Sequence, residues 1–452
     1  MDASADGGLQ LADWKRLQDR DGDLRFGGPL GTVGEALRTS GRRLALASDD
    51  KAVAAVAANA SGTVARAYPG TSDGIRSAFQ AQPDVIVVAV SAARLPEVLG
   101  LLDPACTVVV SASTGGENRH LGVFAASPRC GLGIAGLASP STHHPHLATL
   151  PDVSATVLTL ADVARPAALG GSAVTATADV SRATLVERDR RAWTGDRART
   201  GLVWLFIVFH ALGAIAVVRA PKARSAVCAT LLSIPAASFL MMLVPWWRVG
   251  IWAGVLVGAG LTVVLAVGAT VLLRRKPALG VGVLAGLTAA VVGLDALLAS
   301  PLQIDAPFGN SPIGAGRFFG VGNIGSAFLV SGLLVGGGLA IERWGRRGMR
   351  WTAVAMAAGT VAGGAPQFGA DVGGVLFAVP AYGVLLLGAR RPRLTIRQSS
   401  SSVPQPCSPS PCSRPWTWCA TPAHRPIWPR ASPGRAWATR SCARPPERCT
   451  RS

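Results

Sequence analysis

The sequence predicts an α/β domain over residues 1–200, an α-helical polytopic membrane domain of about seven helices over 201–397, and a disordered Pro/Arg/Cys-rich tail over 398–452. Three observations predict it. A mean hydropathy of +0.37 with only 15% charged residues is too apolar for an ordinary soluble chain. From residue 202 onward, apolar runs recur at close to the roughly 20 residues that cross a bilayer. Before residue 200, short β-rich runs alternate with amphipathic segments, the pattern of a parallel or mixed sheet with covering helices.

In the first region, "RRLALAS" (42–48), "DVIVVAV" (84–90) and "CTVVVSA" (106–112) read as buried strands, apolar on both faces. "GTVGEALRTSG" and "DGIRSAFQAQ" carry apolar residues at helical spacing.

The apolar runs of the second region lie near 202–218, 226–245, 250–273, 279–299, 323–341, 351–364 and 372–389. Arg219, Lys222 and Arg224 follow the first, Arg274, Arg275 and Lys276 the third, Arg343, Arg346, Arg347 and Arg350 the fifth, and Arg390, Arg391, Arg393 and Arg397 the seventh. The alternate loops hold only Arg248 and Arg317. The positive-inside rule places the basic loops in the cytoplasm and the N-terminal domain and "PQFGADVGG" (366–374) outside, in the cell envelope. A cluster of Arg182, Arg188, Arg190, Arg191, Arg197 and Arg199 before the first run opposes this, although a folded domain is translocated regardless of such charge. The balance of 44 Lys+Arg against 25 Asp+Glu is therefore a topology signal, and no nucleic-acid partner is expected.

An external domain needs an export signal, and the first 22 residues hold no apolar core of that length, so a natural start upstream of Met1 is expected. The tail combines Pro, Arg, Ser, Cys and Trp without periodicity and reads as a frameshift product, carrying no function. No cysteines form a CxxC pair. Cys106 and Cys130, the two in the first region, are open to pairing if that region faces an oxidising compartment.

"GTVGEALRTSGRRLALAS" (31–48) and "LPDVSATVLTLADVARPAALGGS" (150–172) resemble two structural segments of the alkaline phosphatase and sulfatase superfamily, in the same order along the chain. To about Arg397 the chain also resembles uncharacterised multi-pass membrane proteins of GC-rich bacteria with "GRFFGVGN" and "GADVGG"-like motifs. The resemblance implies an alkaline phosphatase-like external fold. It implies activity less, because the Asp-His-Gly metal motif is missing and the nucleophile would lie upstream.

His143, His144 and His146 in "PSTHHPHLATLPD" could share a zinc or manganese ion, with Asp152 following; a solvated loop explains them as well. His210, in the first run, reads as a proton relay or as a satisfied lone histidine. Asp371 sits in a Gly-rich turn beside an apolar run of about 14 residues, roughly 21 Å, too short to lift it clear of the interface. A carboxylate there needs a partner, and Arg317 is the basic residue placed to supply one. Asp371, Arg317, Asp295, Asn310 and Asn323 thus form either a polar membrane pocket or an ion-paired lock. The expected function is an envelope protein in the lipid bilayer, non-catalytic or of unknown activity, holding an anionic lipid or lipid-linked glycan. A metal-dependent phosphoryl-transfer enzyme is the alternative, and a transporter the second.

Overall fold

The computed structural model describes residues 2–3, 8–22, 29–103, 105–111, 119–132, 136–314 and 317–390. The chain divides into two units, Met1–Leu394 and Thr395–Ser452; the second, with the expected tail and its five cysteines, lies outside the described residues.

In chain order the α/β region contains β1 (Asp2–Ala3), β2 (Leu9–Gln10), α1 (Trp14–Gly22), α2 (Thr32–Thr39), β3 (Leu44–Ala47), α3 (Lys51–Ala57), β4 (Thr63–Val64), β5 (Arg66–Tyr68), α4 (Ser72–Gln80), β6 (Val85–Val88), α5 (Leu95–Leu102), β7 (Val108–Val110), β8 (Phe124–Ala126), β9 (Leu137–Ala138), α6 (Leu150–Leu160) and β10 (Thr175–Ala176). β3 is the centre of a parallel sheet of order β5-β3-β6. Successive side chains of a strand point to opposite faces, so a run apolar at every position needs two cores. Val85 and Val87 join Leu37, Ala54, Val64 and Leu158 on one face, and Ile86 and Val88 join Ile75, Ala78 and Val98 on the other. The third expected strand forms but does not extend this sheet. β7 pairs antiparallel with β8, Val109 opposite Ala125, and Cys106 and Cys130 form a disulfide at the foot of that hairpin. A partner close in sequence closes a ladder at lower loop entropy than a distant sheet edge.

The helical region contains α7 (Arg182–Arg219), α8 (Arg224–Leu240), α9 (Ile251–Arg275), α10 (Pro277–Leu297), α11 (Asn323–Gly364) and α12 (Val372–Arg390). Six helices among the described residues are long and apolar enough to cross a membrane, where the sequence reading expects about seven spans. The fifth and sixth runs share α11, whose 42 residues span about 63 Å of helix if straight, twice a bilayer core. It is not straight. At Gly345 φ is 51° and ψ −126°, a left-handed conformation open to glycine, and the helix reverses there without a loop. The two legs pack back to back, with Thr352 donating to the Gly337 carbonyl at 3.2 Å and Leu333 lying against Gly359. The second leg, 346–364, is about 28 Å long and not the roughly 21 Å expected, because helix continues through the basic turn.

These reversals bring Arg219, Arg224, Arg274, Arg275, Arg346, Arg347 and Arg390 to one end of the bundle, and the loop segments 298–314, 317–322 and 365–371 to the other, beside the α/β region. Exposed Trp204 and Trp252 lie toward the domain end and Trp344 and Trp351 toward the basic end, as aromatic side chains do at the two faces of a bilayer.

At Gly348 the hairpin leaves no room for a side chain: a Cβ there would lie 2.1 Å from the Ala340 carbonyl oxygen. Gly348→Leu is expected to destabilise the protein by about 2–4 kcal/mol. Thermal unfolding in detergent measures this, and an unshifted transition would refute the close packing of the legs.

Candidate functional site

A helix of 38 residues is about 57 Å long, and α7 is apolar only in its second half. Its first half, 182–200, runs on past the bundle and must find polar partners. It finds them on three sides. Toward the α/β region, Asp189 accepts from His120 Nδ1 and the Leu121 amide, each at 2.8 Å, and Arg188 donates to the Pro145 carbonyl. Toward the α8–α9 turn, Glu187 accepts from Trp247 Nε1 at 2.6 Å and Arg248 Nε at 2.7 Å. Toward the loop between α10 and α11, Arg191 donates to the carbonyls of Pro301 (2.7 Å) and Ile304 (2.9 Å) and pairs with Asp305 at 3.2 Å. Arg199 donates to the Gly309 carbonyl, and Ser311 donates to Asp196 at 2.9 Å. Three of the six arginines that oppose the topology signal, Arg188, Arg191 and Arg199, thus donate to backbone carbonyls of neighbouring segments.

Residues 303–308 are buried although they form no helix or strand. Buried backbone must be hydrogen-bonded, and Asp295, at the end of α10, starts the process. It accepts from the Leu302 amide (2.8 Å), the Gln303 amide (3.0 Å) and Gln303 Nε2 (3.1 Å). Asn310 then exchanges backbone bonds with Gln303 and Asp305, and its side chain donates to the Gly320 carbonyl at 2.8 Å. Ala299, Ser300 and Asp305 hold left-handed φ values of 64°, 62° and 65°, strained for side-chain-bearing residues and held by these bonds.

The chain continues into the turn that carries Asp371. The Val321 amide donates to the Gly369 carbonyl at 2.9 Å, and the Asp371 amide to the Gly363 carbonyl at 2.9 Å. Gly369 is pressed so close that a Cβ would lie 2.1 Å from the Gly363 oxygen. Arg317 stands between the loops, donating to the carbonyls of Val321 and Gly369 (3.1 Å) and lying 3.7 Å from Asp371. Ser326 donates to the other Asp371 oxygen. Four of the five residues proposed as a membrane pocket, Asp295, Asn310, Arg317 and Asp371, therefore belong to one bonded layer that ties loop to loop. Asn323 does not join them: it is the first residue of α11 and exposed. Two cavities lie along α10 and α11, away from the layer, and one of about 210 Å³ lies between α7, α8 and α9 with Pro307 and Phe308 of the loop in its wall.

The layer is not fully satisfied. Asp305 Oδ1, Ser300 Oγ, Gln303 Oε1 and Arg199 Nε and Nη2 are buried without a hydrogen-bond partner. Burial pushes the Asp305 carboxyl up to about 6, against the pull of Arg191, Arg199 and Arg188.

The three clustered histidines do not converge. His143 lies against the Phe319 ring, centroids 4.1 Å apart, and His146 packs under Gly136. Burial pushes the His144 imidazole down to about 4, with Arg188 and Arg191 pushing the same way. Positive φ at His143 and His146 turns neighbouring rings apart. Among the described residues no three His, Cys, Asp or Glu side chains are placed to hold a metal ion, so the zinc or manganese site is not assembled. Asp152 is a helix cap: wholly buried, it accepts from Ser141 (2.7 Å), the Thr149 amide (2.6 Å) and the Ser172 amide (2.8 Å). Burial alone would raise its pKa, and those bonds bring it below the usual carboxylate value. His210 Nδ1 lies 2.9 Å from the Phe206 carbonyl one turn back on its own helix.

Sequence reasoning missed the polar half of α7 and the carboxyl edge of the parallel sheet, where open α/β sheets bind ligands. There Arg94 donates to the Gly70 carbonyl (2.8 Å) and to Ser72 (3.0 Å), and Ser72 donates to Glu97. The signal for α7 was a run of arginines and aspartates at helical spacing directly before an apolar run. Comparison of the chain with family models, curated protein sequences and solved structures returned no match.

Arg317→Ala and Asp371→Ala are each expected to cost about 2–4 kcal/mol of stability, with the double change costing at least about 1 kcal/mol less than their sum. A double-mutant cycle on denaturation in detergent decides it, and strict additivity would show that the two side chains are not coupled.

Proposed function

We propose that this chain is a multi-pass protein of the bacterial envelope that turns its α/β domain away from the cytoplasm and holds an anionic lipid or lipid-linked glycan at the layer between domain and bundle. One observation carries this reading. The layer sets Arg188, Arg191, Arg199 and Arg317 against Asp196, Asp295, Asp305 and Asp371, equal in number, yet Nε and Nη2 of Arg199 are buried there without an acceptor. Guanidinium N–H groups left without an acceptor favour an anionic partner.

The orientation rests on the basic loops gathered at the far end of the bundle and agrees with a disulfide in the α/β domain, a bond that persists in oxidising compartments. A binding role is favoured over hydrolysis because Asp152, Asp295 and Asp371 are each committed to structural hydrogen bonds. The resemblance to alkaline phosphatases then concerns the scaffold of the external domain.

In intact cells, with the other free cysteines replaced, Val56→Cys is expected to react with a membrane-impermeant maleimide and Arg275→Cys only after lysis. The opposite pattern would overturn the orientation. For the ligand, native mass spectrometry of the purified wild-type protein is expected to show preference for phosphatidylglycerol over phosphatidylcholine. Equal binding of the two would remove the anionic-ligand reading.

A further inference from the structure

A second set of charges stands at the opposite end of the bundle. Segments 274–276 and 342–350 carry seven Arg and Lys side chains against Glu342 alone, a net charge of +6. All eight side chains are exposed, and among the described residues none of them makes a hydrogen bond or an ion pair. Solvated helix ends would need no more than that, but here the charges meet a groove.

The two cavities along α10 and α11 have volumes of about 530 and 430 Å³ and share Gly282, Gly336 and Ala340 in their walls, so they run on as one groove. Along α10 its wall extends from Ala278 to Leu297, a rise of about 28 Å, close to the roughly 30 Å of a bilayer core. The protein leaves it open: nothing lies within 4 Å of a Cβ placed on Gly286 in that wall. Val283, Leu294 and Trp351 also line it and are exposed, so the groove opens sideways, toward lipid. At the basic end its wall is made by Glu342, Arg343 and Trp344 of α11 and by Ala278 and Leu279, the first turn of α10. A helix start presents free amides and the positive end of its dipole. An apolar channel therefore ends in a cationic mouth.

Resting on the multi-pass reading above, we propose that this groove seats an acyl chain of an acidic phospholipid whose phosphate is held at the mouth by Arg343 and the basic residues beside it. Charge decides the occupant. A groove walled by glycine and alanine could also take a helix from a second copy of the chain. In a symmetric pair that copy would bring its own +6 to the same face of the bilayer, against the first. A lipid phosphate offsets the charge instead, and basic pockets between spanning helices favour acidic over zwitterionic headgroups.

Native mass spectrometry of the full chain, titrated with phosphatidylglycerol and with phosphatidylcholine, tests this. Arg343→Gln removes an exposed, unpaired side chain and is expected to weaken the binding of one phosphatidylglycerol about fivefold, the equivalent of about 1 kcal/mol for one basic residue, and to leave phosphatidylcholine unchanged. Gly286→Leu fills the groove without altering charge and is expected to weaken phosphatidylglycerol at least as much. Arg219→Gln, an exposed arginine at the same end but outside the groove wall, should stay within about twofold of wild type. Equal weakening by Arg343→Gln and Arg219→Gln, with Gly286→Leu unaffected, would show surface attraction with no seated chain and overturn the site. Preference for phosphatidylglycerol unaltered by all three variants would overturn it as well, while the reading of the layer at the other end stands. A lipid-free dimer broken by Gly286→Leu would place a second copy in the groove and overturn the lipid assignment. Absence of any preference in the wild type would overturn both readings.

Discussion

Backbone that is irregular and buried must be hydrogen-bonded from within the protein, and the architecture at the domain end of the bundle follows from that constraint. The loop between α10 and α11 lies between the α/β region and the helical bundle, with residues 303–308 buried. Side chains serve them instead. Asp295 takes the amides at its start, Asn310 closes its middle, Arg317 bridges its end to the Asp371 turn, and Arg191 and Arg199 reach in from α7. Remove one of these and a carbonyl or amide is left buried and unpaired, at a cost of about 1–3 kcal/mol each.

The same constraint explains why α7 is twice as long as a membrane span requires. A helix that ended at the interface would leave its capping groups and the loop unsatisfied together. Continued as a rod, it offers a face of arginines to the loop and a face with Asp189 to the α/β domain, so that domain and bundle are held by one rigid element. Asp305 records the cost of this arrangement. Its strained φ, its unpaired oxygen and its raised pKa all follow from burying a carboxylate among cations that do not fully compensate its lost hydration.

Much of the fold was legible in the sequence. β3 and β6 were visible as short runs apolar at every position, α2 and α4 as helical periodicity, and the spans as long apolar runs whose alternating charge matches the alternation of helix direction. Asp371 with Arg317 was legible too, because a lone carboxylate at a break in an apolar run demands a cation and few were on offer. The antiparallel pairing of β7 was not legible, since a β-rich run says nothing of which edge it will join. Nor was the fate of the three histidines, because spacing along the chain does not give the direction of a ring once φ turns positive.

Composition and periodicity alone determined that this chain is an α/β region followed by a bundle of helices long and apolar enough to cross a membrane, because burial of apolar surface and bilayer thickness act on local sequence. Only the tertiary structure decided that runs five and six are one helix folded back at Gly345, that four of five polar residues share one hydrogen-bonded layer, and that the three histidines turn apart. Those outcomes depend on which partners meet across long separations in the chain, and a partner hundreds of atoms away leaves no mark on local pattern.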